Sequence, residues 1–380
     1  MKVIIFLGGF FPSMNHGGPV VSIDNLCRLL SDKIDFYIVT KDHDLGTKER
    51  FKDIKDTWMI KENYNILYWP DSFFTKSRIN NLLKEINPDL IYINSLFSYK
   101  IVIPILKGKG NIPALIAPRG QLCKNAFRKK IKKYMYLFIF KSLFKSKTVF
   151  YQFTSMEERL SILKHIKVRE NKIFFLDNIS IGPTQNVGIP IEKSTNNLKI
   201  VFISRIHPKK NLDFALSVIN NLSGDIIFNI YGPIEDTIYW ESCKNIIANY
   251  PKNIIVNYNG VISHEDVYKV FTENHVFLFP TKSENYGHVI PEALIMGCSV
   301  ITSDQTPWQA NSDQMFLHSI PLNKKDEYLS VIKKFVAMNH DEYKRLSSEA
   351  ILYAHDKIDR QKIKNEYINV FTKIIDYRGE

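Results

Sequence analysis

Glu284 and Glu292 stand seven residues apart on either side of the turn Asn285-Tyr286-Gly287-His288, within the stretch Phe279 to Leu294. Pro291 lacks the N–H that a helix interior needs, so the spacing predicts a helix that starts near Val289 and ends by Gly297. Glu284 then lies on the loop and Glu292 on the first turns. A strand, a glycine turn and a helix start offer backbone N–H groups and the positive end of a dipole, which suits a diphosphate or the hydroxyl-rich end of a sugar. Carboxylates beside it accept hydrogen bonds from vicinal hydroxyls. For either glutamate alone, an acid placed for dipole reasons explains as much; the joint pattern favours a ligand.

A second set is Ser204-Arg205-Ile206-His207-Pro208-Lys209-Lys210-Asn211, just after an apolar run. A guanidinium held bidentately and an ammonium acting as a point charge can neutralise a departing diphosphate without a metal. Plain exposed loop cations are the alternative. The third set is the loop Gly8 to Val20, with Gly8-Gly9 and Gly17-Gly18, where paired glycines let backbone approach a ligand. It lacks the Gly-x-Gly-x-x-Gly fingerprint, which counts against an NAD enzyme. Asp42-His43-Asp44 has the form of a metal-binding carboxylate pair but lies far in sequence from the other sets, and reads as a solvated loop.

The elements that must hold these residues are short apolar runs alternating with helical stretches, the pattern of parallel sheets flanked by helices. Strands are expected at Val3–Leu7, Phe36–Thr40, Leu90–Asn94, Ala114–Ala117 and Val149–Phe153. In the second half they are expected at Ile200–Ile203, Ile226–Tyr231, Ile254–Tyr258, Val276–Phe279 and Ser299–Thr302, with helices at Leu212–Leu222 and Val267–Thr272. The fold class is therefore α/β, with two Rossmann-like parallel-sheet domains expected to face one another across a cleft. The polar, Gly- and Pro-bearing stretch Gly182 to Asn197 marks the boundary. Residues 1–184 form the first domain, 185–197 a linker, 198–360 the second domain, and 361–380 a C-terminal helix expected to return to the first.

With 380 residues, 45% hydrophobic and 24% charged, the chain can bury two cores, which excludes disorder and coiled coil. Cys27, Cys123, Cys243 and Cys298 include no close pair, so neither a disulfide framework nor a structural zinc site is indicated and a reducing compartment is expected. The net charge of +12 divides into +14 for residues 1–190 and −2 for 191–380. One half thus suits an anionic polymer, lipid surface or phosphorylated substrate. The start, Met1 to Phe11, reads as a buried strand entering a glycine loop rather than a signal peptide. Tyr134 to Phe140 is far short of the roughly 20 residues a spanning helix needs.

The three sets, in this order, resemble the retaining glycosyltransferases of glycosyltransferase family four, which have the GT-B fold, and the resemblance runs over nearly the whole chain. Its most specific parts are the Glu284 and Glu292 spacing and the Ser-Arg-x4-Lys element at Ser204, Arg205 and Lys210. Asn211 stands where many members have Gly. Ser303 to Trp308 and Ala117-Pro118-Arg119-Gly120 look like segments of the bacterial surface-polysaccharide members. The resemblance implies that Arg205 and Lys210 hold a donor diphosphate, Glu292 the ribose hydroxyls, and Glu284 with Asn285, Tyr286, Gly287 and His288 the transferred sugar. It implies that Gly17 and Gly18 approach the phosphate and acceptor, that base contacts near Tyr231–Gly232 and Gly260–Ile262 are largely backbone-mediated, and that Asn94 and Arg119 lie on the acceptor side. Many members carry a His where this chain has Asn94. Asn cannot shuttle a proton, so an acid/base role there fails and hydrogen bonding remains.

The implied reaction moves a sugar, with retention, from a nucleotide diphosphate sugar (a UDP-sugar is favoured) to a glycan or lipid-linked acceptor in capsule, O-antigen or lipopolysaccharide synthesis. No cofactor or metal is expected, and charge stabilisation at the diphosphate carries the catalysis. A nucleotide-sugar epimerase on the same fold and a non-catalytic polyanion-binding protein are the alternatives. Residues 121–150 hold nine Lys+Arg and no acid, with Phe127, Ile131, Tyr134, Met135 and Phe138 at helical spacing. Residues 124–147 are expected either to lie on an anionic membrane or to pack on the sheet with a charged outer face. Nucleic acid is not expected, since no nucleic-acid module accompanies the patch. The expected location is cytoplasmic, at the inner face of the membrane.

Overall fold

Strands buried on both faces read as continuous apolar runs, and such runs form the centre of both sheets. The computed structural model describes residues 1–13, 17–123, 130–139, 141–144, 146–182, 191–310 and 314–377. Met14 to His16 of the glycine loop, residues 183–190 around the start of the expected linker, 124–129, 140 and 145 of the basic stretch, and 378–380 of the expected C-terminal helix lie outside the described residues. The chain divides into two compact units, Met1–Ile179 with Arg360–Glu380, and Ser180–Asp359.

In unit 1 the order is β1 (Lys2–Leu7), α1 (Gly18–Leu30), β2 (Asp35–Lys41), β3 (Met59–Ile60), β4 (Asn65–Trp69), α2 (Lys76–Ile86), β5 (Leu90–Asn94), α3 (Tyr99–Gly108) and β6 (Ala114–Ala117). There follow α4 (Lys130–Ile139), α5 (Lys141–Phe144), β7 (Val149–Phe153), α6 (Met156–Ile166) and β8 (Ile173–Phe175). The sheet order is β3-β4-β2-β1-β5-β6-β7-β8, parallel except for the two-residue β3. Unit 2 runs β9 (Asn197–Ile203), α7 (Leu212–Ile219), β10 (Asp225–Tyr231), α8 (Thr237–Ile247), β11 (Ile254–Tyr258), α9 (His264–Thr272), β12 (Val276–Phe279) and α10 (Val289–Ile295). It ends β13 (Ser299–Ser303), β14 (Leu317–Ile320), α11 (Lys325–Ala337) and α12 (His340–Lys357), and its sheet order is β11-β10-β9-β12-β13-β14.

Each sheet reverses its strand order once, between β1 and β5 in unit 1 and between β9 and β12 in unit 2. The loops leaving the carboxyl ends of those two strands diverge and leave a crevice, the usual ligand position in open α/β sheets. Gly17 and Asn94 flank the first reversal in sequence, and Arg205 and Glu284 the second.

Three expectations need correction. Residues 191–197 are not a free linker but part of unit 2, where the buried Lys193 donates its Nζ to the carbonyls of Ser194 at 2.7 Å and Met338 at 3.0 Å. The division falls after Ile179, five residues before the expected one. Residues 360–375 form α13 (Arg360–Ile375), which packs in unit 1: Tyr367 donates to the Asp177 carbonyl at 2.8 Å and Lys364 meets Asp32 at 2.7 Å. Asp42 and Asp44, read as solvated, are held instead. Asp42 is buried and bonded to His43 Nδ1 at 2.8 Å, while Asp44 accepts from Ser13 Oγ at 2.6 Å.

His275 leads into β12 with only 1% of its surface exposed. Its Nδ1 accepts from the Lys199 N–H at 2.9 Å and its Nε2 faces the Glu192 carbonyl at 3.1 Å, an arrangement that only the neutral ring satisfies. Burial pushes its pKa down to about 4. A folded-state pKa below the unfolded value gives stability that is complete above pH 6.5 and lost as pH falls toward 4, in total about 3 kcal/mol. Urea denaturation between pH 7 and 4 should show this loss in the wild type, with a smaller slope in His275→Gln; equal slopes would refute it.

Candidate functional site

Three loops meet at the carboxyl ends of β9, β12 and β13. The Lys282 N–H donates to the Lys209 carbonyl at 2.9 Å, and the Glu284 N–H to the Gln305 carbonyl at 3.0 Å, so the loop after β12 is tied to the loops on both sides. Thr302 Oγ1 donates to the Phe279 carbonyl at 2.9 Å and Ser303 Oγ to the Thr281 carbonyl. The loop after β9 also touches the one after β10: a Cβ on Gly232 would lie 1.9 Å from the Ser204 carbonyl oxygen, so only glycine fits there.

On this frame Lys210 Nζ is ion-paired to Glu284 Oε1, with both side chains nearly nine-tenths buried. The Thr281 hydroxyl is 3.3 Å from the same carboxylate oxygen, and the Phe279 ring centroid is 5.3 Å from Nζ. Arg205, the other predicted cation, pairs through Nη1 with Glu235 on the loop after β10 at 2.6 Å, and both are about 40% exposed. Burial lowers the pKa of Lys209; Lys210 and Arg205 push it the same way and Glu284 opposes them. Arg205, Lys209, Lys210 and Glu284 therefore share one electrostatic neighbourhood. Lys209 and Glu235 are functional residues beyond those expected, and the adjacency of Lys209 to Lys210 is the one local signal for either.

Glu292 is 2% exposed and sits at the base of α10, which covers the residues expected. Its Oε1 is 3.1 Å from His264 Nε2, and His264 opens α9 two residues after the half-buried Ile262. His264 was not predicted. Between the two glutamates, Gly287 turns with φ +78° and the Ile290 N–H donates back to its carbonyl at 2.8 Å. His288 Nδ1 is 2.9 Å from Ser180 Oγ, and the Tyr286 ring lies 4.8 Å from the His288 ring. Trp308 Nε1 donates to the Tyr286 carbonyl at 2.7 Å, fixing the turn from β13, while Asn285 is exposed.

Asn211 occupies the left-handed region with φ +65°, the conformation that glycine adopts freely and asparagine better than most residues. Its side-chain amide donates to the Pro280 carbonyl at 2.9 Å, adding a further tie between the loops after β9 and β12. The remaining predicted residues belong to unit 1. Gly17 precedes α1 with φ +59° and Gly18 opens that helix. Asn94 ends β5, and Arg119 follows β6 and donates its Nε to Asn94 Oδ1 at 2.8 Å.

Chemically, unit 2 offers the cations Arg205, Lys209 and Lys210 and the carboxylates Glu235, Glu284 and Glu292 on the loops and helix at this end of the sheet, apt for a polyanion that also carries hydroxyls. Residues 189–347 match the family model described as glycosyl transferases group 1, which covers most of unit 2. A curated relative, an uncharacterized 41.2 kDa protein in the cps region of Klebsiella pneumoniae, is 23% identical over 259 residues, or 64% of this chain and 66% of that one. The chain thus spans just under two thirds of that relative's length. Among solved structures, HepE of Anabaena in complex with UDP and glucose superposes with TM-score 0.70 at 14% identity, covering 98% of this chain and 100% of that one. WaaG, a glycosyltransferase involved in lipopolysaccharide biosynthesis, gives 0.67 at 12% identity, covering 97% and 99%. The fold is GT-B.

Asn211→Ala should cost about 2–3 kcal/mol, from left-handed strain and the lost bond to Pro280, whereas Asn211→Gly should lose only about 1 kcal/mol. Chemical denaturation of the two variants checks the order, and an equal loss would contradict it.

Proposed function

We propose, from the match of residues 189–347 to the family model of group 1 glycosyl transferases, that the chain transfers a sugar from a nucleotide diphosphate sugar to a glycan or lipid-linked acceptor of a bacterial surface polysaccharide. The observation that carries this reading is the gathering of Arg205, Lys209, Lys210 and Glu284 at the reversal point of the matched unit. We read UDP as the nucleotide, in line with the bound nucleotide of HepE, and a surface polysaccharide as the product, in line with the cps-region relative.

In this reading Lys210, aimed by Glu284, and Arg205 take the diphosphate, while Lys209 adds positive potential. Glu292, steadied by His264, accepts hydrogen bonds from the ribose. The turn 285–288 receives the sugar and Ile262 lies beside the base. The acceptor hydroxyl bonds to the anomeric carbon on the face the diphosphate leaves, the bond from that carbon to the phosphate oxygen breaks, and the departing phosphate takes the hydroxyl proton. Retention follows, and the fixed cations supply the stabilisation with no metal required.

We also place the acceptor unit at an anionic membrane surface. No described helix is long and apolar enough to cross a membrane. On α4, Tyr134, Met135 and Phe138 of the expected stripe are 47%, 58% and 83% exposed, while Leu137 and part of Tyr136 face the core. Lys141, which opens the next helix, is exposed too. An apolar ridge among lysines fits the headgroup region of anionic lipid.

Two outcomes follow. Arg205→Ala should lower donor turnover by about 10²-fold or more with the circular dichroism unchanged, as loss of one transition-state donor does, and Glu292→Gln, which keeps the shape of the buried side chain, should weaken donor binding; wild-type behaviour of both would place the donor elsewhere. Vesicles containing phosphatidylglycerol should float the chain at low salt and release it as salt rises, and Phe138→Asp should abolish flotation. Flotation indifferent to lipid charge and to Phe138 would refute the membrane role.

A further inference from the structure

Arg119 is a half-buried cation whose protein partners are all neutral. Its Nε donates to Asn94 Oδ1 at 2.8 Å, its Nη2 to the Tyr92 hydroxyl at 3.1 Å and its Nη1 to Asn178 Oδ1. Among the described residues no carboxylate pairs with it. The nearby acids are engaged elsewhere: Glu158 takes the Gly120 N–H at 2.6 Å and the Thr154 N–H at 2.9 Å, and Asp177 takes the Asn178 N–H at 2.7 Å. Burial raises the Asp177 pKa to about 6, which leaves it mostly ionised at pH 7, but among the described residues no ion pair joins it to the guanidinium.

Asn94 is 5% exposed, and its Nδ2 lies against the Tyr92 hydroxyl without a hydrogen bond of normal geometry. Tyr92 cannot serve Arg119 as an anion, since its hydroxyl proton goes to Gln152 Oε1. Three of the five guanidinium N–H groups are matched, so one remains on each terminal nitrogen, and the Asn94 amide adds two more. The cluster therefore has surplus donors and one uncompensated positive charge. It lies at the carboxyl ends of β5 and β6, next to the reversal between β1 and β5.

We propose that Asn94 and Arg119 bind an anionic group of the acceptor, a carboxylate or a phosphate, whose oxygens complete the donors the protein leaves unmatched. A carboxylate or phosphate is the planar or tetrahedral acceptor that two guanidinium N–H groups and an amide can share. The site makes the acceptor acidic: either a uronic acid residue or a phosphate-bearing carrier. This assignment of the ligand rests on reading unit 1 as the acceptor side; the surplus of donors does not.

The test uses the full chain carrying Arg205→Ala and Lys210→Ala, so that the cations of unit 2 do not bind the probe. It is titrated calorimetrically at low ionic strength with inorganic phosphate and separately with glucuronate. One of them should bind at a single site, and adding Asn94→Asp should weaken it at least tenfold, because a carboxylate of the same shape then pairs with Arg119. Asn178→Asp, the second variant, should do the same, and neither should lower the melting temperature. Phosphate alone binding assigns a phosphate-bearing acceptor, and glucuronate alone assigns an acidic sugar. No binding of either anion, or binding unchanged by both substitutions, overturns the proposal. Nucleotide-sugar binding by the chain with Arg205 and Lys210 intact is measured in parallel; its absence would defeat the transferase reading and leave the anion site standing.

Discussion

The reversal of strand order beside β9 is the constraint on which the rest of unit 2 depends. Because β10 and β11 add to one side of β9 and β12 and β13 to the other, the loops after β9 and β12 leave adjacent strands in opposite directions. Residues 204–211 and 280–288, distant in sequence, thereby face the same crevice, and backbone bonds from Lys282 to Lys209 and from Glu284 to Gln305 hold them there. The requirement of glycine at 232 and of a left-handed residue at 211 follows from the same crowding.

The charges on this frame are not equally committed. The Arg205–Glu235 pair is exposed and worth under about 1 kcal/mol, so an anionic ligand could displace Glu235 at little cost. Lys210–Glu284 and His264–Glu292 are largely enclosed, where removing one partner strands the other. Such pairs hold their members at fixed positions before any ligand arrives, which is how electrostatic preorganisation lowers a barrier. The reverse case is Arg119 in unit 1, which no carboxylate contacts among the described residues.

Much of this was legible in the residues. Continuous apolar runs located ten strands, most to within a residue at each end, because central parallel strands carry no alternation to confuse; β9 began earlier since Lys199 and Asn197 enter the sheet half-exposed. Pro291 fixed the start of α10 through its missing N–H. Four strands escaped: β3, β8 and β14 lie at sheet edges and lack a long apolar run, whereas β4 lies inside the sheet and carries the apolar run Ile66–Trp69 that was passed over. The return of α13 to unit 1 was anticipated, but not the burial of Asp42 or the packing of 191–197, which depend on partners distant in sequence. His264 and Glu235 were invisible for the same reason: nothing in their local sequence points at Glu292 or Arg205.

The central claim is that the crevice at the carboxyl ends of β9 and β12 receives a nucleotide diphosphate. A crystal structure of the chain grown with UDP tests it most directly. The account predicts density for the two phosphates within hydrogen-bond distance of Arg205 and Lys210, and for the ribose hydroxyls against Glu292. A nucleotide bound away from these side chains, or none at millimolar concentration, would contradict it.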